Sequence, residues 1–328
     1  MLLLAAAGCQ STQERRTPQA RSELVTEAVP AFEATVATIS EAQADSAERA
    51  VREELSISLA DGLSMDLWAS EALIADPIAI SLDSLGRAFV TRTTRTDEAE
   101  IDIRGHQDWM VESITFETVE DKREFYLREL APERSEQNEW LNDINGDGSR
   151  DWRDLTVDKE SVYRVEDRSG DGVADYSQKI LEGFNDVVSD VAHGILAYDD
   201  QLILTLSPDL WRLRDEDGDG VIDTRQSLAH GSGIHIGFGG HGLSNPIIGP
   251  DGRLYWKMGD LGLDYTTREG ERLVNTMSGA ILRSEPDGAD MELFTSGLRN
   301  PQEFAFDEYG NLVSADNDGD HPGETERI

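Results

Sequence analysis

Residues 238–260 read FGGHGLSNPIIGPDGRLYWKMGD, setting His241 among glycines ahead of a turn and a strand that ends at Asp260. An imidazole titrates near neutrality, so a histidine held at the mouth of a barrel-like fold can serve as a general base. The same residue also reads as a plain turn position on a repeated β-unit. Further on, SGLRNPQEF carries Arg299, Asn300 and Gln302 around Pro301. This run also has a bland reading, as a connecting turn in which Arg299 pairs with an acid and the proline fixes the chain. His230 and His235 stand close to His241, but the H-x4-H-x5-H spacing matches no standard zinc pattern.

Aspartates form the other candidate constellation. DINGDGSRDWRD places Asp143, Asn145, Asp147, Asp151 and Asp154 at positions 1, 3, 5, 9 and 12 of a calcium loop, with Gly148 at the sharp turn. DRSGDGVAD offers Asp167, Ser169, Asp171 and Asp175 around Gly172. DEDGDGVID offers Asp215, Asp217, Asp219 and Asp223 around Gly220. Gln178 and Gln226 stand where a bidentate acid would complete the last two loops, so weaker or differently completed sites are expected. These two loops lie between strands, which predicts calcium-stapled hairpins with a structural role. A solvated acidic turn is the alternative.

The elements that must position these residues are short alternating apolar strands. PIAISLDSLGRAFVTRT (77–93), AHGILAYDDQLILTLS (192–207), SNPIIGPDGRLYWKMGD (244–260) and RNPQEFAFDEYGNLVSAD (299–316) share one plan: strand, tight acidic or glycine turn, second strand. A second repeat interleaves, because VYRVEDRSGDGVADYSQKILEG (162–183) matches LWRLRDEDGDGVIDTRQSLAHG (210–231). Four strands per unit of roughly 40–50 residues is the pattern of a β-propeller blade. The expected fold is therefore all-β, a propeller with about four blades in this chain. Open flanks on its first and last blades would make the chain an incomplete ring. Residues 95–158 read as an insertion into the first blade. Residues 10–55, rich in Ala, Glu, Ser, Thr and Gln, read as a flexible tether with a short helix at 40–54. The propeller is expected over 56–328.

With 29 Lys and Arg against 66 Asp and Glu, the formal charge is −37. This argues against nucleic acid or an anionic membrane face as partner, since phosphate binding needs clustered cations. It favours hard cations such as calcium. The single cysteine, Cys9, follows the apolar run MLLLAAAG, as in a lipoprotein signal over 1–9 that would place the protein in the cell envelope, periplasmic or on the outer surface. One cysteine leaves no disulfide and no CxxCH haem site within the chain.

His241 followed by Asp260, then Arg299, Asn300 and Gln302 on the next repeat, resembles the glucose/sorbosone dehydrogenase family, six-bladed propellers that oxidise sugars with pyrroloquinoline quinone (PQQ). LWASEALIADPIAISLDSLGRAFV (67–90) and the DGDG hairpins are similar to bacterial membrane-bound dehydrogenase propellers, which often precede a haem domain. The resemblance covers roughly 56–328. It implies that His241 is the base, Asp260 its orienting carboxylate and Arg299 the cation beside the quinone oxygens. Asn300 and Gln302 would be polar groups at the cofactor. It further implies a sugar or small alcohol as substrate and a cytochrome c domain or protein as electron acceptor. Here the segment after the RNPQ blade reads DNDGDHPGETERI, and Glu303 follows Gln302 where that family commonly has glycine. The alternative function is a non-catalytic calcium-binding propeller that binds glycan or protein beside a cytochrome module.

Overall fold

In the computed structural model the described residues are 25–55, 57–95, 99–237 and 239–317. Cys9 with its signal, and the last residues of the acidic segment at 318–328, lie outside them. Two three-residue strands come first, β1 (Thr26–Ala28) and β2 (Val36–Thr38), followed by helix α1 (Glu41–Glu54). α1 starts at Ser40, whose backbone N–H and hydroxyl both donate to the Gln43 side chain, a capping box.

Antiparallel sheets make up most of the rest. The first follows chain order through β3 (Pro77–Leu82), β4 (Ala88–Arg92), β5 (Glu160–Glu166) and β6 (Tyr176–Gly183). The second does so through β7 (Gly194–Tyr198), β8 (Gln201–Leu206), β9 (Asp209–Arg214) and β10 (Thr224–His230). A third begins with β11 (Leu243–Ile248) and β12 (Leu254–Met258). It is interrupted by the small hairpin β13 (Leu263–Thr266) and β14 (Arg272–Asn275), then resumes with β15 (Gly279–Ser284) and β16 (Glu292–Leu298). β17 (Asn300–Phe306) and β18 (Leu312–Asn317) form a final pair.

The hairpins fall where the turn chemistry puts them. Asp83 accepts hydrogen bonds from the Leu85 and Arg87 amides while Gly86 takes φ +78°. Asp307 does the same for Tyr309 and Asn311, with Gly310 at φ +81°. A three-residue loop with a left-handed glycine matches the twist of the flanking strands.

The inner strands β8 and β12 are buried on both faces. On β8, Leu202 and Leu204 enter the cluster shared with Phe89, Val162 and Ile180, while Ile203 points to the cluster with Trp256 and Leu282. On β12, Leu254 and Trp256 face that second cluster and Tyr255 turns to Ile281 and Phe304. The first strand of each sheet packs against the first strand of the next, β3 on β7, β7 on β11 and β11 on β17.

One segment departs from the sequence reading. The stretch expected as a tether is only partly one: β1 pairs with β10 and β2 with β6, each adding a fifth strand to a sheet edge. Three residues per strand are too few to register as a periodic pattern, yet enough to cap an exposed edge. The insertion expected at 95–158 folds around an aromatic core of Trp109, Phe116, Phe125 and Tyr126, which it shares with Val187, Val188, Ile234 and Ile236. It contains the short α2 (Met110–Ser113) and α3 (Val119–Glu129). α3 is set by a capping box, in which Thr118 and Asp121 each accept the other's amide.

Candidate functional site

The register of β11 and β12 pairs Leu243 with Met258, so positions two residues beyond each strand end come to face one another. Those positions hold His241 and Asp260, and His241 Nδ1 lies 2.7 Å from Asp260 Oδ1. His241 is 4 % exposed. Burial alone would raise the Asp260 carboxyl, but the imidazole beside it holds it below the ordinary carboxylate range. An imidazole whose Nδ1 is anchored on a carboxylate has its tautomer and its orientation fixed.

The neighbourhood is closely packed. A Cβ on Gly259 would sit 2.3 Å from the His241 carbonyl oxygen and 3.1 Å from Asn300 Oδ1, so only glycine lets the two segments approach. Lys257, 1 % exposed on β12, donates to Asn300 Oδ1 at 3.0 Å and to the Gly240 carbonyl at 3.4 Å. Both acceptors are neutral, and among the described residues no carboxylate comes within ion-pair distance of this ammonium. Burial pushes it down to about 8, with Asp190, Glu303 and Asp260 partly offsetting the loss.

Asn300 and Arg299 enter through β17. Asp316 on β18 accepts both of their backbone amides, at 2.8 Å for Asn300 and 3.1 Å for Arg299. The Arg299 guanidinium donates to the carbonyl and side-chain oxygens of Asn317, at 3.0 and 2.7 Å. Gln302, grouped with them in sequence, is exposed. The other histidines are engaged elsewhere: His230 on Asp209 at 3.0 Å, His235 between the carbonyls of Ser113 and Thr276 at 2.8 and 2.7 Å.

A second group of ionisable residues, absent from the sequence reading, lies behind the glycine loop. A Cβ on Gly242 would come 2.3 Å from Asp190 Oδ2 and 3.2 Å from the His193 ring, and one on Gly239 would come 3.2 Å from Glu100. His193 Nε2 is 3.8 Å from Asp190 Oδ1. Burial would raise Asp190, but the His193 imidazole and the Val191 amide hold it at about 2. Burial, then repulsion from Asp190, pushes Glu100 up to about 7. Lys122 on α3 is pushed down to about 8 by burial. One signal for this group was available. His-Gly opens a first strand at 193–194 and immediately precedes one at 241–242, so His193 stands in one repeat close to where His241 stands in another. Lys257 was legible as a lone charge in an otherwise apolar strand.

The aspartate loops differ from one another. Asp215, Asp217 and Asp223 bring ligand oxygens within 4.8 Å of one another. Asp167 and Asp215 each accept the amides of the two glycines that follow them. The first loop lies inside the insertion, where Asp154 is buried and accepts the amides of Ile144, Asn145 and Asp151. Asp151 is held by Arg153 and Ser149. Asp143 accepts from Gly148 and Asn145 from Asp147.

No curated protein matches the chain. A family model described as a domain of unknown function (DUF7133) matches residues 50–325, a span that holds strands β3 to β18, the insertion and both groups of ionisable residues. The chain belongs to that family.

Proposed function

We propose that this protein is a β-propeller of the quinoprotein dehydrogenase type. It would oxidise a sugar or small alcohol and hand electrons to a haem partner from the cell envelope, anchored there through Cys9. The observation that carries the reading is the buried His241 held on Asp260 at 2.7 Å. The repeated four-strand order, with successive first strands in contact, supports a propeller, and six blades are what the family resemblance implies.

The residues at hand suit an anionic cofactor in part. Among the described residues the buried Lys257 ammonium has only neutral acceptors, and such a charge is stabilised by an anion beside it. Lys257, Asn300 and Arg299 would hold PQQ, with the exposed Gln302 as a further polar contact. When bound, PQQ supplies the hydride acceptor. His241 takes the hydroxyl proton, Asp260 keeps the imidazole in the accepting tautomer and stabilises the imidazolium, and the surrounding packing excludes water. Calcium would sit in the aspartate hairpins, where Asp215, Asp217 and Asp223 are the best-placed ligands.

The Asn317 contacts of Arg299 favour a second reading, a non-catalytic module that binds glycan or protein. One experiment separates the two. The protein is loaded with PQQ and calcium and assayed with an artificial electron acceptor over a sugar and alcohol panel. The redox reading expects turnover that His241→Ala lowers by about a hundredfold or more. PQQ binding without turnover, or a His241→Ala variant as active as wild type, would sink it.

A further inference from the structure

The cavity behind the glycine loop has a volume of about 50 Å³, and its polar lining comes from Arg95, Glu100, Lys122, Tyr126, Asp190 and His235. Most of these have their hydrogen bonds made. Arg95 donates to the carbonyls of Leu155, Asp158 and Asp186, and both nitrogens of His235 meet carbonyls. Asp190 accepts the Val191 amide and lies beside His193. Three groups are left over. Among the described residues, no hydrogen bond is made by the Lys122 ammonium, the Tyr126 hydroxyl or the Glu100 carboxyl. Lys122 and Tyr126 are four residues apart on α3, so they present neighbouring donors from one helix face. Lys122 is 7 % exposed. A buried ammonium without an acceptor is costly, and here it belongs to a built cavity and not to a surface chain.

We propose that this cavity is a binding site for a small monocarboxylate, whose oxygens accept from Lys122 and Tyr126. Size and polarity select that class. The volume holds roughly three or four water-sized groups, the scale of a one- or two-carbon acid. Leu155, Val188 and Leu261 supply an apolar wall for a methyl group. A doubly charged phosphate would meet Asp190 and Glu100 at close range, which disfavours it. The site stands apart from the redox reading, since it needs neither PQQ nor turnover.

Glu100 makes the binding pH-dependent. It is faced by the acids Asp190 and Asp102, the His193 imidazole and the Arg95 guanidinium. Protonated, it is one more donor to the anion; ionised, it repels it. Affinity should fall about tenfold per pH unit once Glu100 has ionised, and further as Lys122 loses its proton.

The test is calorimetric titration of the full chain with sodium acetate at pH 6 and pH 9, with sodium chloride at matched ionic strength as control. Saturable acetate binding at pH 6 that weakens at pH 9 is expected. Lys122→Met should lose tenfold or more in affinity, at the order expected for a charged hydrogen bond. Tyr126→Phe, which keeps the packing, should lose roughly two- to tenfold. Absence of saturable acetate binding in wild type would overturn the proposal. So would equal binding of chloride, or full affinity in both folded variants.

Discussion

Replacing Lys257 by methionine should stabilise this protein while removing a cation from its candidate site. The ammonium falls from 10.5 to about 8 on folding, chiefly through burial. At about 1.4 kcal/mol per unit, keeping it charged costs the folded state about 3 kcal/mol at neutral pH. The unfolded chain holds the proton up to pH 10.5, whereas the folded one releases it near 8, so stability should rise with pH across that window. Methionine has similar length and no charge. It loses the bond to Asn300 Oδ1 and the long one to the Gly240 carbonyl, which together cost about 1 kcal/mol. The net expectation at pH 7 is a gain of about 2 kcal/mol, or roughly 3 °C in melting temperature. Urea unfolding of both proteins at pH 7 and pH 10 measures this directly. Lys122 also titrates in this window, but it is common to both proteins and drops out of the difference. A methionine variant less stable than wild type at pH 7, or one with an unchanged rise towards pH 10, would refute the reasoning.

Other changes probe separate parts of the structure. Asp260→Asn should leave the fold intact but lower turnover by about a hundredfold or more, because an amide can donate to Nδ1 and select the wrong tautomer; kcat of the PQQ-loaded protein reads this. Gly259→Ala should destabilise by about 2 kcal/mol or more, since the new Cβ would lie 2.3 Å from the backbone carbonyl oxygen of His241, and thermal melts check it. Asp154→Ala should cost about 3 kcal/mol and open the insertion to limited proteolysis, because three backbone amides lose their acceptor. Asp215→Asn should reduce any calcium-induced rise in melting temperature, measured against a chelator.

Hairpins, strand order and the aspartate turns were legible in the sequence because each depends on local chemistry. Alternation with period two marks a strand, and Asp-x-x-Gly writes its own turn, as at Asp83 and Asp307. The helix near 40–54 was legible for the same reason, through its Ser40 cap and its charged composition. The pairing of His241 with Asp260 follows from one hairpin register, and so was close to being a local property as well. Tertiary structure alone decided the rest. Nothing local says that β1 and β2 would dock on the edges of sheets formed far along the chain, or that the first aspartate loop would turn its Asp154 inward. Nor could spacing place Lys122 and Glu100 of the insertion behind the glycines at 239–242, more than a hundred residues away. A side chain's type fixes what it can bond. Whether that capacity is used or left over depends on which distant segments are packed against it, and only the folded molecule supplies them.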